Sequence, residues 1–290
     1  FTITQGVIQN GTIVFDKGKI TAVGQNIQIP ADAQIINCDG KFVYPGFIAP
    51  ASTIGLIEIE AVRSTRDAAE SGIYNPNAKA DVAYNPDSEI IPTIRSNGVL
   101  IANVIPDGGI VAGSASLMML DGWTREDIAL KRVTGLSVQF PQFSVYSAPW
   151  IRQSADEQRK ENAKRLQELT DYFEQARMYS EAAKNGLAEN QKDIRLEAMR
   201  AVFEDNLPVL FDAGEEKQIR AVVQFAQKFN LKAVIVGGND ALKCSDLLRE
   251  ANIPVILQKV HSVPRRDEQG YDAPYTLPAQ LAAAGVKFTL

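Results

Sequence analysis

The groups in this chain that could do chemistry are few. A single histidine, His261, stands among 290 residues, with two cysteines, Cys38 and Cys244. A binuclear zinc-type centre draws on several neutral imidazole nitrogens together with carboxylates. One histidine cannot supply them, and two thiols fall short of a cysteine-rich metal site. The cysteines read as isolated small buried residues. As a lone imidazole, with an ordinary pKa of about 6.5, His261 could exchange protons at a site rim; the alternative is a hydrogen-bonded loop residue.

His261 opens the stretch HSVPRRDEQGYDAPY, which gathers Arg265, Arg266, Asp267, Tyr271 and Asp272. Two adjacent arginines suit a substrate carboxylate through bidentate hydrogen bonds, and equally suit a surface ion-pair cluster. Asp212 ends the apolar run LPVLF. It could hold a cation, or orient a substrate amine or guanidine, or cap the helix that begins at Glu215. Further upstream lie Glu58, Glu60, Arg63, Arg66 and Asp67. Glu58 and Glu60 alternate as on a strand and would face one side, as acid–base partners or as solvated charges. Gly108-Gly109 with Gly113 and Ser114 has the look of a phosphate loop, but it lacks Gly-Lys-Ser/Thr, so a tight turn is expected.

The elements that must position these groups are legible from periodicity. GTIVFDKGKITAVG holds two β-branched runs joined at Asp16-Lys17-Gly18, a hairpin signal. A buried strand is expected over Phe42–Ile48, turning at Pro50. Residues 56–97 form a long polar excursion without obvious regular structure, with a helix opening near Pro92. GVLIANVIP is an apolar strand, followed by strand, short helix and strand. In that stretch Thr124 and Asp127 suggest a helix start, Gly135 the helix end, and Leu136–Phe140 the second strand. Residues 153–203 read as helix with Leu166, Leu169, Phe173 and Ala176 on one face, broken at Asn185-Gly186. From 207 onward apolar strands of five to seven residues alternate with amphipathic helices. That rhythm argues a parallel sheet covered by helices, either a (β/α) barrel or a doubly wound open sheet.

A series of motifs then narrows the choice. GKITAVG, IPADAQIINCDGK and PGFI follow one another over residues 18–48. The series resembles the N-terminal pattern of the amidohydrolase superfamily, nearest its imidazolonepropionase-like branch. Pro45, Gly46, Phe47, Ile48 and Gly55 match the superfamily's P-G-[FL]-[IV]-D-x-H-x-H-x-G. Ala49 replaces the acid, and Ala51 and Thr53 stand where the two metal-binding histidines would be. Pro208, Val209 and Ala213 match a second pattern, with Asp212 in place of its histidine, and Asn239 lies close to where another is expected. The resemblance implies an α/β fold: a (β/α)8 TIM-like barrel over 45–290 whose last unit is incomplete, preceded by part of a small β-sandwich over 1–44.

It implies hydrolysis of C–N bonds in cyclic amides or peptide-like small molecules, with Asp212 and His261 as catalytic candidates. Thr53, Arg63, Asn239, Arg265 and Arg266 are the substrate-binding candidates. The usual binuclear zinc-type cofactor is not expected. The rival class is a catalytically inactive homologue that binds a small ligand or pairs with an active relative. A further metal-binding aspartate of the superfamily would lie just past Val286–Leu290.

Composition is that of an ordinary globular chain, with 45% hydrophobic and 22% charged residues and a net charge of −5. Acids and bases are interspersed, so a nucleic-acid partner is not expected. No apolar run reaches the roughly 18 residues of a membrane helix, and no membrane association is expected. The expected partners are a small-molecule ligand and a second subunit, either a homodimer mate or a related chain. The start at Phe1 fits removal of an upstream segment; a periplasmic or secreted location follows if that segment is a signal peptide.

Overall fold

The computed structural model describes residues 1–4, 6–186, 191–266 and 269–290. Two compact units result, Phe1–Phe47 and Ile48–Leu290. In the first, β1 (Thr12–Asp16) and β2 (Lys19–Gly24) pair antiparallel, from Thr12 opposite Gly24 to Asp16 opposite Lys19. Lys17 and Gly18 both take positive φ, 48° and 74°. Two successive left-handed residues match the twist of a tight hairpin. Among the described residues the unit holds this hairpin and no second sheet. Cys38, expected to be buried, is exposed there, whereas Cys244 in the second unit is buried.

The second unit is built on eight strands hydrogen-bonded in strict chain order. They begin with β3 (Phe47–Ser52), then α1 (Ala80–Ala83), α2 (Ile90–Ser96), β4 (Val99–Val104), β5 (Val111–Met119), α3 (Arg125–Ile128) and β6 (Ala129–Gln139). The helices α4 (Ala155–Lys184) and α5 (Ile194–Glu204) follow. Then strands and helices alternate: β7 (Val209–Ala213), α6 (Glu216–Phe229), β8 (Ala233–Gly237), α7 (Ser245–Glu250), β9 (Val255–Ile256), α8 (Ala273–Ala283) and β10 (Phe288–Thr289). From β6 to β10 every neighbouring pair is parallel.

One element departs from the expected repeat. β5 runs antiparallel to both β4 and β6, so the sheet is not eight parallel strands. The reason is connection length. Residues 105–110 are too few for the crossover that a parallel neighbour needs, and the single turn of α3 between β5 and β6 is no longer. Gly135, expected to end a helix, lies inside β6, where a β-carbon would come within 2.9 Å of the Leu210 side chain.

The sheet curls so that its two sides bury different residues. Leu210, Val236 and Ile256 form an inner cluster with Ala115, and Ala51 of the edge strand β3 packs against it. Contact between the first strand and strands near the far edge requires a barrel-like curvature. Val209, Phe211, Ile235 and Val255 point the other way, into a core with Leu169, Phe173, Met199, Ile219, Val223, Leu248 and Leu281 of the helices. Phe225 of α6 lies edge-on to Phe173 of α4 with ring centroids 5.0 Å apart. Burial on both faces explains why these strands read as continuous apolar runs rather than alternating ones.

The first barrel strand is displaced from its expected place. It spans Phe47–Ser52, and Phe42 is 71% exposed. Pro50 therefore sits inside the strand instead of ending it. Proline is tolerated because β3 is at the sheet edge. Its carbonyl accepts a hydrogen bond from Asn103 Nδ2 at 3.1 Å.

The polar excursion at 56–97 is also more ordered than expected. Its central part, 74–79, runs alongside β5, with parallel bridges from Tyr74 to Val111 and from Lys79 to Ser114. Asn75 N donates to Val111 O and Ser114 N to Ala78 O, each at 2.8 Å. Such an approach leaves no room for a side chain. A β-carbon on Gly113 would sit 2.7 Å from Ala78 O, and one on Gly109 2.8 Å from Ile73 O. These glycines serve close backbone approach, not phosphate binding. Gly113 also has φ of 135°. Gly113→Ala should therefore lower stability by about 2 kcal/mol or more, read as a reduced urea midpoint with an unchanged slope.

Candidate active site

In barrels of parallel strands the reactive face lies at the carboxyl ends. Here those ends present Asp107 after β4, Gln139 on β6, Asp212 on β7, and Asn239 after β8. Gln139 and Asp212 are register partners on adjacent strands. The Gln139 side-chain amide donates to the Asp107 carboxylate. Three polar groups thus stand side by side above an apolar interior. Asp212 keeps access to solvent, yet protein crowds it from most directions. Burial raises its carboxyl pKa, the neighbouring Asp107 charge raises it further, and Arg265 opposes both.

Two glycines border this group. A β-carbon on Gly237 would be in ordinary contact with Asp212 Oδ1, at 3.6 Å. One on Gly214 would be 2.8 Å from Asn239 Nδ2 and 3.3 Å from Arg265 Nη1. Two donors, an amide and a guanidinium, therefore hang over the Gly214 backbone, two residues beyond Asp212. No described carboxylate forms an ion pair with Arg265.

The start of α6 holds the surrounding loops. Asp212 does not cap this helix, as one reading of the sequence had it; Glu215 does, in a capping box with Gln218. Gln218 is buried, accepts from Gly214 N at 2.9 Å and donates to Phe140 O at 2.6 Å. It ties the end of β6 to the β7–α6 turn. Glu215 also accepts from the Ser144 hydroxyl and from Tyr146 Oη, the latter at 3.2 Å. Burial raises the Tyr146 phenol pKa and so does Glu215, while Arg265 and Arg266 lower it. Both arginines therefore lie near this rim.

Asp240 is the buried anchor, its side chain 3% exposed. Arg266 donates to both its carboxylate oxygens, Glu216 N donates at 3.2 Å, and Lys243 lies at 3.3 Å. Burial alone would push its pKa up. The hydrogen bonds from Arg266 and Glu216 N outweigh that, and the net shift is downward.

The predicted residues thus divide. Asp212, Asn239 and Arg265 come together. Arg266 is adjacent, but its guanidinium is committed to Asp240. Thr53 is half-buried just past β3, and Arg63 is exposed on a short 3₁₀ turn. His261 is exposed, edge-on to Tyr275 with centroids 5.4 Å apart. Among the described residues no hydrogen bond or ion pair joins Thr53, Arg63 or His261 to Asp212. Asp267 of the same loop lies outside the described residues. Glu58 and Glu60 do not act as a pair. Glu58 accepts from Ser88 and Asn85, and Glu60 lies 3.8 Å from Arg66. Asp107, Gln139, Gln218, Glu215 and Tyr146 were not found from sequence. Asp107 and Gln139 carry the one available signal, a polar residue at the end of an apolar run.

The donors present do not fit a binuclear zinc-type centre. Ala51, at the first histidine position, packs into the apolar inner cluster. Thr53 and Asn239 offer only neutral oxygens and a poorly ligating amide. No group of three or more His, Cys, Asp or Glu able to hold a metal ion occurs among the described residues. Nor is any described helix long and apolar enough to cross a membrane.

The fold defined here is amidohydrolase-like. A crystal structure of an amidohydrolase from Thermotoga maritima is similar to this chain, with a TM-score of 0.80 and 25% sequence identity. The likeness covers 96% of this chain and 73% of that one. No protein-family model matches the chain, and no curated protein matches it.

Two stability predictions follow from the titrating groups. Asp240, with its lowered pKa, adds stability above the unfolded carboxyl pKa of about 3.9. That contribution is lost as pH falls through its depressed folded value. Arg266→Met should leave it under-paired and cost about 2 kcal/mol at pH 7, the usual worth of hydrogen bonds to a charged group, with the difference shrinking in acid. Asp212 has the opposite sign. Its raised pKa costs stability once it ionises, so Asp212→Asn should raise the melting temperature at pH 7 and lose that advantage below the ordinary carboxyl range. Thermal unfolding of both variants between pH 3 and 8 checks the two slopes.

Proposed function

We propose that this protein is an amidohydrolase-like hydrolase of C–N bonds in small cyclic amides or peptide-like molecules, working without the binuclear zinc-type centre. The observation that carries this reading is the Asp107–Gln139–Asp212 row at the strand ends of a barrel similar to an amidohydrolase. Neighbouring carboxylates with separated pKa values can divide acid and base roles. In this proposal Asp107, held by Gln139, takes a proton from water as the oxygen attacks the amide carbon. Asp212, with its raised pKa, delivers a proton to the departing nitrogen. Thr53, Arg63, Asn239 and Arg265 remain the proposed binding groups, Arg266 holds their loop in place through Asp240, and His261 remains a proposed acid–base group.

Without a metal, the attacking water is not acidified. A positioned general base contributes about 10²–10⁴-fold. Turnover should accordingly be slow. A second reading has its own support: Ala51 fills a ligand position with an apolar methyl packed against the inner cluster. In that reading the barrel binds a small ligand, or pairs with an active relative, and turns nothing over.

A panel of five- and six-membered cyclic amides, imidazolones included, and short peptides separates the two. Hydrolysis lost by about 100-fold in both Asp107→Asn and Asp212→Asn, with a bell-shaped pH profile, supports the hydrolase. Saturable binding with no turnover across the panel transfers the assignment to the second reading.

A further inference from the structure

We propose that the strand-end site recognises a zwitterion, a small molecule carrying an ammonium group at one end and a carboxylate at the other. The inference rests on the site's location as assigned above, and it does not depend on turnover. The site is bipolar. Asp107 and Asp212 form its acidic side, close enough for one charge to raise the other's pKa. Gln139 spans the gap between their strands, bonded to Asp107 and in register with Asp212. Two carboxylates crowded together are relieved by a ligand cation placed between them.

The basic side faces it. Arg265 Nη1 and Asn239 Nδ2 converge over Gly214, at 3.3 and 2.8 Å from where its β-carbon would be. Both are donors with no acceptor function at those nitrogens. A guanidinium beside an amide N–H suits a carboxylate, through one charge-assisted and one neutral hydrogen bond. The adjacent arginine does not compete, because Arg266 is committed to Asp240. The missing side chain of Gly214 is what lets both donors come this close to the backbone. A neutral amide would leave both charged sides unmatched, and a simple anion would meet the two carboxylates.

Calorimetric titration tests this on the folded protein. The probes are ω-amino acids from β-alanine to 6-aminohexanoate, together with glycylglycine. Their controls are matched N-acetylated and C-amidated analogues, which remove one charge each. At least one zwitterion should bind about tenfold or more tightly than either of its single-charge controls. Arg265→Met should abolish the preference over the amidated control, with Arg265→Lys restoring part of it. Asp212→Asn should reduce the preference over the acetylated control. Circular dichroism and melting curves establish that each variant is folded. Equal affinity for single-charge analogues, an unchanged preference in Arg265→Met, or no binding by any zwitterion would overturn the inference. Zwitterion binding with no hydrolysis leaves this inference standing and removes the hydrolase. Hydrolysis of uncharged amides with no zwitterion preference does the reverse.

Discussion

A carboxylate taken out of water must be matched, and at Asp240 that requirement organises the reactive face. The side chain is nearly inaccessible, so its charge is tolerated only with donors on several sides. The donors come from three places: Arg266 on the β9–α8 loop, Glu216 N at the start of α6, and Lys243 on the turn before α7. Satisfying one charge therefore brings a long loop over the ends of β7 and β8. Arg265 follows from it, because the neighbouring residue is fixed. The two arginines divide the labour: one is structural, the other faces the open site.

A second constraint acts along β5. β5 reverses the strand direction, and the excursion at 74–79 runs alongside its start. The close approach exists because glycines at 109 and 113 remove the side chains that would block it. Ser116, also on β5, continues the link by donating to Arg132 O and accepting from Asp81 N. The strand that breaks the repeat is thus held from both sides, which is how an irregular element persists within a regular barrel.

Much of the architecture was legible in the sequence because it follows from burial. The strands and helices after 207 are apolar runs and amphipathic repeats, and those patterns are read directly. The β1–β2 hairpin was legible through Lys17-Gly18, which take the left-handed conformations such a turn needs. Misplaced elements have physical reasons. Phe42–Ile48 has strand-like composition, but pairing begins at Phe47, where an edge position admits Pro50. The direction of β5 depends on connection length, which apolar patterning does not encode. At the site, Asp212, Asn239 and Arg265 were found because each follows a strand or marks a charged loop. Gln139 and Gln218 were missed because an amide's importance depends on what faces it across the fold. Arg265 and Arg266 could not be told apart, since adjacent residues of one type part only when Asp240 claims one of them.

The strict chain order of the sheet bears on how the molecule assembles. Each strand from β4 to β10 pairs with the one that precedes it in the chain, so no strand must wait for a later one. Most of the closures are short, and closure entropy grows only slowly with length, about 0.6 kcal/mol per doubling. The longest is the step from β6 to β7, which spans residues 140–208. That span is shortened by α4 and α5, which fold back on one another through Tyr179 to Glu197 at 3.0 Å and Ser180 to Glu204 at 2.7 Å. The helical hairpin thereby acts as a spacer that brings β7 within reach of β6. The row formed by Gln139 and Asp212 is completed only at this junction, so the strand-end face matures at the longest closure of the sheet.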